Sequence, residues 1–238
     1  MQATAVDAQG NVLVAGSFKG VLSLGGSTLT SAGGTDAFVA KWSPTSRRWV
    51  WAAAGGGAND DACQALAVMG TSVNCAGFYT NNTGYDMEAE IAFGALALPY
   101  AEAAGKRDAF VVKYSDAGAA ATSVWAVHGG GSESDAAVSL AVSGANVYIT
   151  GRFENDAADT NKVVFDGIAL PGTGPDSNVD VFVVKYLDRG PAAAAQWAQH
   201  GGGLRDDYGS SVVASGSNVY VTGSATSVGC TSVPASIL

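Results

Sequence analysis

DAFVAKW at residues 36–42 recurs as DAFVVKY at 108–114 and as DVFVVKY at 180–186, an interval of 72 residues both times. WAAAGGG at 51–57 recurs as WAVHGGG at 125–131 and WAQHGGG at 197–203, and each run is followed by an aspartate at the same offset, Asp61, Asp135 and Asp207. A third motif precedes these two: NVLVAGSF at 11–18, SVNCAGFY at 72–79, NVYITGRF at 146–153 and NVYVTGSA at 218–225. In front of each copy lies a short apolar stretch, ATAV at 3–6, ALAV at 65–68, SLAV at 139–142 and SSVV at 210–213. A weaker element occupies the middle of each unit: GVLSLGG at 20–26, EIAFGAL at 90–96 and KVVFDGI at 162–168. The chain thus divides into repeat units 1–61, 62–135 and 136–207, with 208–238 as a partial fourth. Tandem similarity at a fixed period is the signature of repeat architectures.

Each element reads as a strand. Phe110, Val112 and Tyr114 alternate with Val111 and Lys113, the period of two that a pleated strand requires. Val, Ile, Phe, Tyr and Thr fill the runs, and Gly, Asn and Ser mark the turns, with SGAN at 143–146 and SGSN at 215–218 suited to tight hairpins. The one expected helical turn is YAEAAGK at 100–106. About four antiparallel strands per unit cannot cover both faces of one sheet, whereas copies stacked face to face can. The expected fold is therefore all-β, with propeller-type tandem blades forming a partial or incomplete propeller. Trp51, Trp125 and Trp197 are expected between neighbouring blades, and the Gly-rich runs where backbones pass closely. A β-solenoid is the alternative, although its repeat is nearer 20 to 30 residues.

Order and spacing of the motifs AVDxxGNVxVxGSF, DAFVxK and WAxxxGG followed by Asp resemble the seven-bladed β-propeller repeat of bacterial and some eukaryotic surface proteins. The resemblance spans nearly the whole chain, although units of about 72 residues are long for that family. It implies a propeller and an extracellular or cell-surface setting, and it implies no reaction. Closed rings have about 4 to 8 blades, so further blades from a longer chain, two chains in one ring, or an open array are all compatible with these units.

Composition narrows the function classes. The chain has 238 residues, 47% hydrophobic and 14% charged, with 32 glycines and a formal net charge of −9. Twelve scattered Lys and Arg make no basic face, which argues against nucleic acid. No run of about 18 apolar residues suggests a transmembrane helix, and MQATAVDAQG has neither the basic start nor the apolar core of a signal peptide. Met1 enters the repeat partway along a strand, which suits a fragment, a trimmed chain or an incomplete gene model alike. Three cysteines, Cys63, Cys75 and Cys230, cannot all pair within one chain. Cys63 and Cys75 fall on neighbouring expected strands. Buried free thiols are the expected reading and a disulfide is the alternative.

Residues found in every unit serve the unit, and those found in one unit are the candidates for a site. His128 and His200 occupy equivalent positions before Gly-Gly-Gly, where unit 1 has Ala54, and read as structural histidines rather than a metal pair. Gly55 to Gly57 and their counterparts lack the following helix and lysine of a phosphate loop. Lys41, Lys113 and Lys185 recur alongside Asp61, Asp135 and Asp207, which suits repeated Lys–Asp ion pairs or lysines capping turn carbonyls. The acidic segments 80–90, 154–162 and 172–180 do not repeat and are the expected binding loops. Asp176, Asn178 and Asp180 alternate as at the start of a calcium loop, without its glycine and distal glutamate. Asn81-Asn82-Thr83 is a glycosylation sequon. No Gly-x-Ser-x-Gly elbow or Cys–His signature is present, and the carboxylate pairs Glu88 with Glu90 and Asp156 with Asp159 are the nearest approach to a hydrolase.

The expectation is a non-enzymatic structural or adhesive module with no catalytic, metal or cofactor residues, whose partners are other protein chains through self-association or a larger assembly. The alternative is a propeller that binds glycans or calcium, with Tyr79, Tyr85 and Tyr100 as sugar-stacking candidates.

Overall fold

The computed structural model describes residues 1–81, 91–98, 105–154, 162–171 and 178–226. Among these residues every regular element is a strand, and no helix is long and apolar enough to cross a membrane. The expected turn at 100–106 falls largely outside the described residues.

Unit 1 contributes β1 (Ala3–Val6), β2 (Val12–Leu24), β3 (Ser27–Ser43) and β4 (Arg48–Gly56). Unit 2 contributes β5 (Ala62–Met69), β6 (Ser72–Thr80), β7 (Ile91–Phe93), β8 (Leu96–Leu98), β9 (Arg107–Asp116) and β10 (Ala121–Gly130). Unit 3 repeats that set as β11 (Ala136–Ser143), β12 (Asn146–Glu154), β13 (Val163–Phe165), β14 (Ile168–Leu170), β15 (Val179–Asp188) and β16 (Ala193–Gly201). The start of the next unit is β17 (Asp207–Ser215) and β18 (Asn218–Ala225).

All pairing is antiparallel, in the sheet orders β1-β2-β3-β4-β7-β8, β5-β6-β9-β10-β13-β14, β11-β12-β15-β16 and β17-β18. The fold is an incomplete, propeller-like array of blades. The first hairpins close as their sequence demands: Ser143 faces Asn146 and Ser215 faces Asn218 across two-residue turns, with Gly144 and Gly216 at φ 59° and 60°.

The middle element of units 2 and 3 departs from the four-stranded expectation. It folds as a short hairpin that joins the sheet of the preceding unit, with Phe93 opposite Gly55 and Phe165 opposite Gly129. Units 2 and 3 therefore each lend two strands backward. Such short strands have little ladder of their own, and packing decides where they sit. Ile91, Phe93 and Leu98 lie in the apolar layer between the first two sheets, and Val163, Phe165 and Leu170 in the layer between the second and third.

Period-two alternation splits each blade between two such layers. Leu13, Ala15, Val39 and Trp51 meet Val73, Cys75, Phe110 and Tyr114. Ala76, Val111 and Trp125 meet Ile149, Phe153, Phe182 and Tyr186. Tyr148, Val183 and Trp197 meet Val212 and Val219. The tryptophans thus lie between blades, as the repeat predicts.

Cys63 and Cys75 form a disulfide between β5 and β6, with both residues buried. This corrects the free-thiol expectation. A register shift between Cys63 and Ala65 turns Cys63 toward the face that Cys75 shares, so the two thiols meet although they are not directly opposite.

Candidate functional site

Two sets of polar side chains recur along the array, each with a local structural task, and a third belongs to one unit. The first is a pair of aspartates behind the glycine run. Asp61 Oδ2 accepts from the N–H of Gly57 at 2.7 Å and its Oδ1 from that of Thr80 at 2.9 Å. Asp135 does the same with Gly131 and Glu154. These aspartates tie the loop after one blade to strand β6 or β12 of the next. Asp36, Asp108 and Asp180 lie beneath the second glycine of each run. A Cβ at Gly130 would fall 1.8 Å from Asp108 Oδ1, and one at Gly202 1.8 Å from Asp180 Oδ1. Burial, and then repulsion from Asp36 and Asp60, pushes Asp61 up to about 7. Asp135 is raised well above the carboxylate range by burial and by Asp108.

The second set clamps blade to blade. Lys41 Nζ lies 2.6 Å from Asp116 Oδ2 and 3.0 Å from Asp7 Oδ2, all three side chains buried. Trp51 Nε1 donates to the other oxygen of Asp116 at 3.1 Å. The arrangement repeats one blade on, where Asp188 receives Lys113 at 2.6 Å and Trp125 Nε1 at 3.2 Å. Lys41 and Lys113 do form ion pairs, but with Asp116 and Asp188 rather than with Asp61 or Asp135. Burial would raise the Asp7 carboxyl, but hydrogen bonds from Asn11 and Lys41 outweigh it and hold the group at about 2. Lys185 has its ammonium 5.9 Å from the centre of the Tyr148 ring.

The third feature belongs to unit 2 alone. Tyr79 replaces the Phe18 and Phe153 of the other units, and its hydroxyl lies 3.1 Å from His128 Nδ1. The same hydroxyl hydrogen-bonds Asp108, whose Oδ2 also accepts from Asn81 Nδ2 at 2.9 Å. With the hydroxyl donating to Asp108, Nδ1 carries the imidazole proton and Nε2 remains an acceptor. Burial lowers the His128 pKa, opposed by Asp166, and burial pushes Asp108 up to about 6 against its two side-chain hydrogen bonds. His128, Asp108, Asp166, Leu98 and Val164 line a cleft of about 360 Å³ between β10 and the hairpins. This is a mainly apolar recess with a few polar groups, among them an oriented imidazole. The described lining contains no serine, threonine or cysteine to act as a nucleophile.

No family model and no curated protein matches the chain.

The structure redistributes the remaining residues singled out in the sequence. Tyr79 is 0% exposed, so it cannot stack on a sugar from the rim; Tyr85 and Tyr100 lie outside the described residues. Asn81 is likewise 0% exposed, with its amide on Asp108, so a glycan there would break a buried hydrogen bond. Asp180 is buried within β15, in register with Asp36 and Asp108, while Asp176 is outside the described residues. Glu88, Glu90, Asp156 and Asp159 are also outside them. His200 packs edge-on against Phe153, at 6.1 Å between ring centres, as His128 packs on Tyr79. Sequence reasoning overlooked Asp116 and Asp188. Their signal was present as the same offset from Lys113 and Lys185, but unit 1 has Pro44 there and hides the repeat. It also misplaced Tyr79, whose departure from Phe18 and Phe153 marks unit 2 as the specialised blade.

Proposed function

We propose that the chain is a run of seven-bladed-type β-propeller repeats acting as a structural or adhesive interaction module of an extracellular or cell-surface protein. One observation carries this reading: the recurrent polar groups are engaged in holding blades to one another. Lys41, Lys113, Trp51 and Trp125 hold the aspartates of the next blade, and Asp61 and Asp135 bind backbone N–H groups. A scaffold built from nearest-neighbour contacts is suited to presenting surface rather than to chemistry. The buried Cys63–Cys75 disulfide supports an oxidising compartment.

Light scattering on the purified chain at several concentrations tests the reading. Species larger than one chain, increasing with concentration, are the expected result. One chain's mass at every concentration would count against self-association. A second reading, a ligand-binding propeller, draws support from the Tyr79–His128 cleft in unit 2. A glycan array read with and without calcium tests it, and silence in both conditions removes it.

A further inference from the structure

The hairpin joining β2 to β3 repeats the geometry of the lent hairpins β7–β8 and β13–β14. Leu22 faces Leu29 and Leu24 faces Ser27, as Ile91 faces Leu98 and Phe93 faces Leu96, and as Val163 faces Leu170 and Phe165 faces Ile168. Its seat on its own blade is also the same. A Cβ at Gly25 would lie 3.4 Å from Cβ of Trp49, and one at Gly94 2.8 Å from Oγ of Ser123, while Asp166 Oδ2 accepts from the N–H of Ala195 at 2.9 Å. Trp49, Ser123 and Ala195 each stand two residues before the recurrent tryptophan. Leu22, Leu24 and Leu29 pack with Val14, Phe18 and Phe38, much as Phe93 packs on Phe110 and Phe165 on Phe182.

One side of the hairpin differs. The outer side of β7 pairs with Gly55 and Gly56, and that of β13 with Gly129 and Gly130. Among the described residues the corresponding side of Val21–Leu24 has no strand partner, and Val21 is 66% exposed. In a two-residue hairpin the flanking pair, here Leu24 and Ser27, exchanges the ladder bonds. The N–H and C=O groups of Ser23 and Val21 therefore point to the open edge. No charge or proline within Val21–Leu24 protects it.

We propose that Val21–Leu24 is a docking edge for an antiparallel strand of the pattern W-A-x-x-G-G, supplied by another repeat unit of this kind. The proposal rests on the reading of the chain as an interaction module and names its surface and partner. The two in-chain interfaces specify the chemistry. The first glycine of the run must lack a Cβ, because one at Gly55 would lie 2.1 Å from the Phe93 ring, and one at Gly129 2.0 Å from the Phe165 ring. Leu24 stands where those rings stand. Position 44 is proline where Asp116 and Asp188 clamp a lysine, so recognition at this edge uses the backbone and the glycines rather than an ion pair.

The test is fluorescence anisotropy of a labelled peptide with the sequence of residues 122–131, TSVWAVHGGG, titrated with the whole chain. Saturable binding is expected. Valine in place of the glycine equivalent to Gly129 should weaken it roughly tenfold or more, as overpacking at this contact implies. Ser23→Pro, which removes an edge N–H while sparing the Leu22 and Leu24 ladder bonds, should abolish it. Because the peptide variant leaves the protein unchanged, it keeps the test decisive even if Ser23→Pro unfolds. Absent binding, binding indifferent to that glycine, or binding unchanged in a folded Ser23→Pro protein would each overturn the proposal. Light scattering on the same samples separates the two ideas. Assembly without peptide binding removes the edge and leaves the module, and peptide binding by a strict monomer does the reverse.

Discussion

Gly129→Ala sets the β13–β14 hairpin against its own seat. The new Cβ would lie 2.0 Å from Cδ1 and 2.5 Å from Cε1 of Phe165. That ring is fully buried and packs at 4.8 Å on Phe182, so it has little room to turn. Two responses bound the cost. A shifted ring in an overpacked layer costs about 1–3 kcal/mol. Release of the hairpin forfeits the burial of Val163, Phe165 and Leu170, at about 1.5–3 kcal/mol each, and so roughly 4.5–9 kcal/mol as an upper limit. The first is cheaper and sets the expectation. Alanine also reduces the freedom of the unfolded chain, which adds back about 0.4–1 kcal/mol. Gly26→Ala measures that gain alone, because nothing lies within 4 Å of a Cβ there. Urea unfolding followed by tryptophan fluorescence should therefore separate Gly129→Ala from Gly26→Ala by about 1–3 kcal/mol. A cycle with Phe165→Ala sharpens the test. That substitution alone should cost about 3–5 kcal/mol, but it also removes the clash, so the double variant should cost less than the sum. Additive costs, or equal stability of the two glycine variants, would refute the reasoning.

Other expectations follow from the buried polar groups. Lys41→Met leaves Asp7 and Asp116 as buried, uncompensated carboxylates and should cost about 3–5 kcal/mol in urea unfolding. Lys106→Met, at a partly exposed pair with Glu133, should cost under about 1 kcal/mol, and the opposite ranking would contradict the clamp. Asp61 and Asp108, held near 7 and 6 against an ordinary 3.8, take up protons on folding, so their stabilising contribution is full in acid and fades as pH rises through those values. Asp7, held near 2, contributes above 3.8 and loses its contribution as pH falls toward 2. The urea midpoint should therefore be higher at pH 5 than at pH 8, and a flat profile would count against the buried pairs. Cys63→Ser with Cys75→Ser opens a crosslink spanning 12 residues in sequence, with an expected loss of roughly 3 kcal/mol. Mass spectrometry should find that the folded chain secreted from a eukaryotic host carries no glycan at Asn81.

Much of the architecture was legible without coordinates. Strand identity is a local property, written in the alternation at Phe110, Val112 and Tyr114 and in turns such as Gly144-Ala145, and tandem recurrence then requires blades that cover one another's faces. The inter-blade tryptophans followed from the same periodicity. The differences from these expectations concern partners rather than elements. Three-residue strands such as Ile91–Phe93 carry too little local information to say which sheet they join, and the space above Gly55 decides it. Lys41 finds Asp116 across 75 positions, and no local pattern sets that choice.

The strands, their order and the repeat depend on backbone geometry and side-chain periodicity over a few residues, and so they are readable along the chain. Packing between units sets the rest: hairpins are lent to the preceding blade, Cys63 bonds to Cys75, Tyr79 joins His128 to Asp108, and Val21–Leu24 presents an edge. Each depends on where separate units come to lie against one another, which is settled by packing volume and burial across the interfaces.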